Sequence, residues 1–134
     1  MELLLPYKTT LLVAGLTGVL LFIQILIADL TAIKQKHTPG YPIAPNHQDF
    51  LFRAARAHAN TNESIAIFCL FAFFAVLSSA EPALLNGSAV LYFAGRLGHM
   101  FAYYARVSLV RSVAFGVSLA GLAGMFVAGL IGWM

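Results

Sequence analysis

The sequence predicts an all-α integral membrane protein, a four-transmembrane-helix bundle, and three observations carry that reading. Of its 134 residues 60% are hydrophobic and only 10% are charged, against roughly 25% charged in an average soluble domain. With so little polar surface to offer water, the exterior has to be lipid. Four apolar stretches are set off by polar turns, and the first is at least the ~20 residues that cross ~30 Å of hydrocarbon. The basic residues, finally, gather around two of the connections and leave the opposite side almost bare.

Taken in chain order, the first helix is expected over about 9–33, interrupted only by Gln24 and Asp29 near its end. Its apolar run is too long for a signal-type core and no cleavage pattern follows, so it reads as a retained span. Pro39, Gly40, Pro42 and Pro45 make the following polar segment a loop, because proline removes a helical donor and clashes with the preceding turn. Asn46 with Asp49 three residues on resembles a capping box, opening a second helix over about 47–79. That helix is polar and basic in its first half and apolar from Ser64 to Leu77. Ser78, Ser79, Glu81, Pro82 and Asn86-Gly87 form a turn, placing helix three over about 85–105. Helix four, about 111–133, has no charge after Arg111 and ends at Trp133, where an interfacial aromatic anchor belongs. The whole reads as one domain.

Lys34, Lys36, Arg53, Arg56, Arg96, Arg106 and Arg111 all lie near the loops joining helices one to two and three to four. The other side has only Lys8. The positive-inside rule therefore puts the basic loops in the cytoplasm and both termini outside it. The membrane is a bacterial inner membrane or endoplasmic reticulum, depending on source. A net charge of +3, dispersed in this way, does not describe a nucleic-acid binder. The single cysteine, Cys69, excludes an internal disulfide and a cysteine-built metal site, and its apolar run reads as burial.

Two polar stripes stand out. Arg53, Arg56, Asn60 and Glu63 follow at spacings of three, four and three, which places them within a sector of about 80° on one helix face. Arg96, His99, Tyr103 and Arg106 repeat the same spacing on helix three. Ionisable groups at membrane depth are costly, so these should turn inward, pair, or line a wet cavity. Structural roles compete with this: Arg53 and Arg106 can snorkel to the phosphate layer, Arg56 and Glu63 can belong to an interhelical ion network, and His58 on the other face reads as interfacial. With Arg111 added, the stripes make a cationic, hydrogen-bond-rich pocket with one acid. It suits a small anionic ligand that also carries an amine, while the bilayer supplies an apolar second substrate.

At these residues the sequence resembles the family of membrane-associated proteins in eicosanoid and glutathione metabolism. Arg56-Ala57-His58-Ala59-Asn60-Thr61-Asn62-Glu63 is similar to that family's helix-two signature. Gly95-Arg96-Leu97-Gly98-His99-Met100-Phe101-Ala102-Tyr103 and Arg111-Ser112-Val113 look like its helix-three segment and helix-four opening in the microsomal glutathione transferase and prostaglandin E synthase branch. The resemblance implies a homotrimer with glutathione, as cosubstrate, bound between subunits and reached from the cytoplasm. By position, Arg56, Asn60, Glu63, His99, Tyr103 and Ser112 would hold the tripeptide, and Arg111 would stabilise its thiolate. No metal is implied. The pattern departs from the family at Ser64, Ala66 and Ile67, where a tyrosine and a proline often follow, at Ala59 for an arginine, and at Phe115 for a tyrosine. The helix-one arginine of the eicosanoid enzymes has no counterpart beyond Lys34.

The leading expectation is a glutathione-dependent transferase or peroxidase acting on lipophilic electrophiles or hydroperoxides. A second keeps the same fold but binds another small anion or a lipid, without thiol chemistry. A third is a small four-helix exporter with Glu63 as its proton-coupled carboxylate. Arginines around Glu63 oppose this, since they hold a carboxylate ionised.

Overall fold

The computed structural model describes residues 2–134. After a 3₁₀ turn at Glu2–Tyr7 come four helices: α1 (Lys8–Lys34), α2 (Phe50–Leu77), α3 (Pro82–Ala105) and α4 (Ser108–Trp133). Among the described residues, α1 with its preceding turn, α2 and α4 are long and apolar enough to cross a membrane. The 24 residues of α3 reach about 36 Å at 1.5 Å each, but α3 carries Asn86, Ser88, Arg96 and His99 along its length. It accommodates them by burial: Ser88, Arg96 and His99 are all enclosed by the bundle.

The helices begin where capping chemistry places them. Asp49, not Asn46, caps α2, its carboxylate accepting from the Leu51 amide at 3.1 Å. Asn46 instead closes a local turn by accepting from the Gln48 amide at 2.9 Å, so the capping residue is the last side chain before the helix rather than the first polar pair. Glu81 caps α3 through the Ala83 and Leu84 amides, with Pro82 in the first turn, where its missing N–H costs nothing. Helix three therefore starts earlier than its turn-like residues suggest, and Asn86-Gly87 lies inside it. The Asn86 side chain is satisfied across the bundle by the backbone and hydroxyl of Thr10 and by the Pro6 carbonyl. Only Arg106 and Val107 separate α3 from α4; Arg106 takes the left-handed conformation, φ 63°. Arg111 consequently sits one turn inside α4, its amide bonded to the Val107 carbonyl.

The tightest packing is between α3 and α4, and glycine permits it. A Cβ on Gly95 would lie 2.5 Å from the Ser118 amide nitrogen, and one on Gly121 would lie 2.5 Å from that of Tyr92. Backbones approach this closely only at such small residues, the usual device for packing helices in lipid. Phe68, Leu85, Tyr92, Leu122 and Met125 fill the core beside this contact. Cys69 does not join it: the thiol is exposed, on the wall of an apolar cleft with Leu11 and Phe73. An apolar run meant for lipid hides no particular face, which is why burial could not be read from its neighbours.

Tyr7 bonds to the Ala80 carbonyl, Thr10 to Asn86, and Gly132 packs on Ser78 and Ala80, so the start of α1, the α2–α3 connection and the end of α4 share one side and the two basic connections lie on the opposite side.

Candidate functional site

The polar residues converge where α2, α3 and α4 meet at the basic side of the bundle. The close approach at Gly95 brings α4 within reach of Arg96, which is 1% exposed. Its guanidinium donates to the Asn60 side-chain oxygen at 2.8 Å, to the Asn60 carbonyl at 3.2 Å, and to the Ser118 hydroxyl. These are three neutral acceptors, and they tie three helices through one side chain. Arginine can only donate, so the Asn60 amide is oriented with its oxygen toward Arg96. Its NH₂ group is thereby left to donate elsewhere.

Asn60, His99, Tyr103, Arg111, Ser112 and Phe115 line a cavity of about 280 Å³. Five of the seven residues singled out in the sequence thus meet in one place. The Arg111 guanidinium lies over the Tyr103 ring, 4.7 Å from its centroid, a stacking that leaves its edge N–H groups free for an anion. His99 meets the same ring edge-on at 5.1 Å and is itself 3% exposed. Its Nδ1 is buried without a partner. Ser112 is exposed and spends its hydroxyl proton on the Ser108 carbonyl at 3.2 Å.

Arg56 and Glu63 stand apart from this cavity. Both are exposed on α2, and they are seven residues, or about 10 Å along the axis, from each other, too far for a direct ion pair. Arg56 and Glu63 lie within about 20° of one another round the helix, so one chain alone presents a polar strip on the outside of the polar half of α2.

A second cavity, also about 280 Å³, adjoins the first through Tyr103 and Arg111 and is lined further by His47, Arg53, Arg106 and Ser108. Three guanidiniums and no carboxylate line it, which makes it a cationic mouth on the basic side. Arg53, only 8% exposed, donates to the carbonyls of His47 and Gln48 at 2.8 and 2.9 Å. It therefore anchors the loop entering α2 rather than snorkelling. His47 in turn stacks over Tyr103 at 6.3 Å.

Sequence reasoning placed Arg53, Arg96 and Arg106 on polar stripes without assigning them to the site. Gly95 beside Arg96 marks no partner in the sequence alone, because only the facing helix shows that this glycine is close-packed. Nothing in the sequence marked His47, whose position depends on the fold of a proline-rich loop.

Chemically, the arrangement offers N–H donors from Arg111 and Asn60, a half-buried phenol on Tyr103 and a cationic approach. It can hold an anionic molecule with several polar groups and favour negative charge at Arg111. Residues 9–131, nearly the whole chain, match the model of the MAPEG family. No curated protein matches the chain.

Proposed function

The chain belongs to the MAPEG family, and from that premise we propose that it is a membrane-bound, glutathione-dependent transferase or peroxidase, closest in its motifs to the microsomal glutathione transferase and prostaglandin E synthase branch. The observation that carries the reading is the meeting of Asn60, His99, Tyr103, Arg111 and Ser112 around one cavity behind a mouth of arginines. Glutathione carries two carboxylates and a single ammonium at neutral pH, a net charge of −1, and an uncompensated cationic pocket suits it. Arg53 and Arg106 draw the carboxylates in, Asn60 donates to an amide carbonyl, and Arg111 faces the thiol.

The chemistry asked of Arg111 is modest and specific. A free thiol titrates near ~8.5, and a neighbouring guanidinium favours its anion. The thiolate then attacks an electrophilic carbon, forming a C–S bond as the leaving group departs. With a lipid hydroperoxide it attacks the terminal peroxide oxygen and breaks the O–O bond; the departing alkoxide takes a proton to become the alcohol, and the sulfenic acid left behind reacts with a second glutathione to give the disulfide and water. Both acceptors are apolar and arrive through the bilayer.

The exposed strip of Arg56 and Glu63 supports a homotrimeric assembly. Glu63 is near the middle of a 28-residue helix, where an ionised group facing lipid costs at least ~2.5 kcal/mol. A neighbouring subunit covering that strip removes the cost, and it brings Arg56 and Glu63 to the ligand from the other side, Glu63 toward the ammonium. The basic side faces the cytoplasm in this reading.

One observation favours a second reading, in which the fold holds another small anion or a lipid without thiol chemistry. Phe115 contributes no hydroxyl to the cavity, and the Ser112 proton is already engaged, leaving Arg111 as the sole strong donor beside the thiol position. Titration with glutathione separates the two: the first reading requires saturable binding with thiolate formation, the second binding of a different anion with no thiolate.

A further inference from the structure

A larger cavity lies away from the cationic site, on the opposite face of α2. It is about 620 Å³ and is enclosed by α1, by α2 and by the loop between them. Leu51, Ala55 and His58 are its α2 wall, and they sit roughly 140–180° round the helix from Asn60. A whole helix, ~10 Å thick, therefore separates it from Arg111 in the same chain. Its walls are apolar, with Ile25, Ala28 and Ala32 from α1 and a cover formed by Pro39, Gly40 and Tyr41. Gly40 makes that cover possible with φ 82°, a conformation that side-chain-bearing residues rarely adopt.

Three polar groups interrupt this lining: Asp29, His37 and His58. Asp29 is five residues before the end of α1, ~7.5 Å inside it, and is exposed within the single chain. No lysine or arginine lines the cavity, so its carboxylate has no compensating charge there. The Nδ1 of His58 is buried with no partner. His37 is held through Nε2 to the Tyr41 carbonyl at 3.1 Å, which leaves its other nitrogen as an acceptor. An intramembrane carboxylate without a partner marks a functional position, and a mostly apolar pocket of this size with a few convergent polar groups is the usual form of a small-molecule site.

We propose that this cleft binds a lipophilic amine: an apolar body between α1 and α2, with its ammonium on Asp29. Its polarity is the reverse of the cationic cavity across α2, so the molecule it takes is of a different class from the anion bound there. The proposal does not depend on the glutathione reading.

Photolabelling tests it. The protein is placed in nanodiscs of phosphatidylcholine and exposed to a diazirine-bearing alkylamine, and labelled positions are mapped by peptide mass spectrometry. Labelling is expected to concentrate on residues 25–58, to be competed by dodecylamine but not by dodecanol or dodecanoate, and to fall at least fivefold in Asp29→Asn. Ala55→Phe, which fills the cleft without touching the carboxylate, is expected to remove the label equally. Both variants should bind glutathione as the parent does, which keeps this test separate from that of the catalytic reading. Labelling spread over all lipid-facing positions, equal competition by the acid or alcohol, or no effect of Asp29→Asn would overturn the proposal. So would absence of labelling together with a change in oligomeric state in Asp29→Asn, because a cation of a neighbouring subunit would then occupy the carboxylate.

Discussion

Arg96 donates to Asn60 and Ser118 and takes no part in the cavity wall itself, so its role and that of Arg111 separate cleanly by substitution. Hydrogen bonds to a charged group contribute about 1.5–3 kcal/mol each. Arg96→Met is therefore expected to lower thermal stability and, by freeing the Asn60 amide, to weaken glutathione binding about tenfold or more. Isothermal titration alongside a melting curve measures both. Arg96→Lys should not restore the parent values, because an ammonium cannot span Asn60 and Ser118 with a planar fork. Tyr103 supports Arg111 through its ring face. Tyr103→Phe should accordingly retain the arginine's position and lose only what the phenol contributes, whereas Tyr103→Leu should lose both. A smaller fall in turnover for the phenylalanine variant than for the leucine variant is the expected result.

Between helices, the α3–α4 contact carries the most specific expectation. Gly95→Ala puts a Cβ 2.5 Å from the Ser118 backbone, where no flexible side chain can yield. Overpacking of this kind typically costs 1–3 kcal/mol, so a clear loss of thermal stability is predicted. Gly15→Ala, on α1 with nothing within 4 Å of the new methyl group, should be neutral or slightly stabilising, since alanine is favoured over glycine by about 1 kcal/mol in a helix. Parallel melting curves of the two variants check this. The same contact explains how much of the site was legible in advance. The 3-4-3 spacing put Asn60 on one stripe and His99 and Tyr103 on another, because helical period depends on sequence position alone. How deep each stripe is buried depends on how closely the helices approach, and that was set by glycines whose role is invisible without the facing helix. Arg96 consequently turned out enclosed while Arg56 and Glu63, with the same kind of spacing, lie on the outside. Helix ends were harder still: Asn86-Gly87 has turn-forming chemistry, yet Asn86 is satisfied by Thr10 and Pro6, two partners brought near only by the folded bundle.

Across the whole molecule, a cationic site on the basic side, a polar strip facing outward and termini on the opposite side belong to one arrangement. If the strip is a subunit contact, native mass spectrometry from detergent should give three copies of the 14.4 kDa chain. Glu63→Leu would then alter ligand binding more than it alters the mass. A monomer that binds glutathione as well as the assembly does would remove the reason for Arg56 and Glu63 to be where they are. The most direct test of the central claim is ultraviolet difference absorbance near ~240 nm, where a thiolate absorbs, as purified protein is titrated with glutathione at neutral pH. A saturable thiolate signal that Arg111→Ala abolishes while glutathione still binds is the expected result. An unchanged signal in that variant, or no glutathione binding by the parent protein, would contradict it.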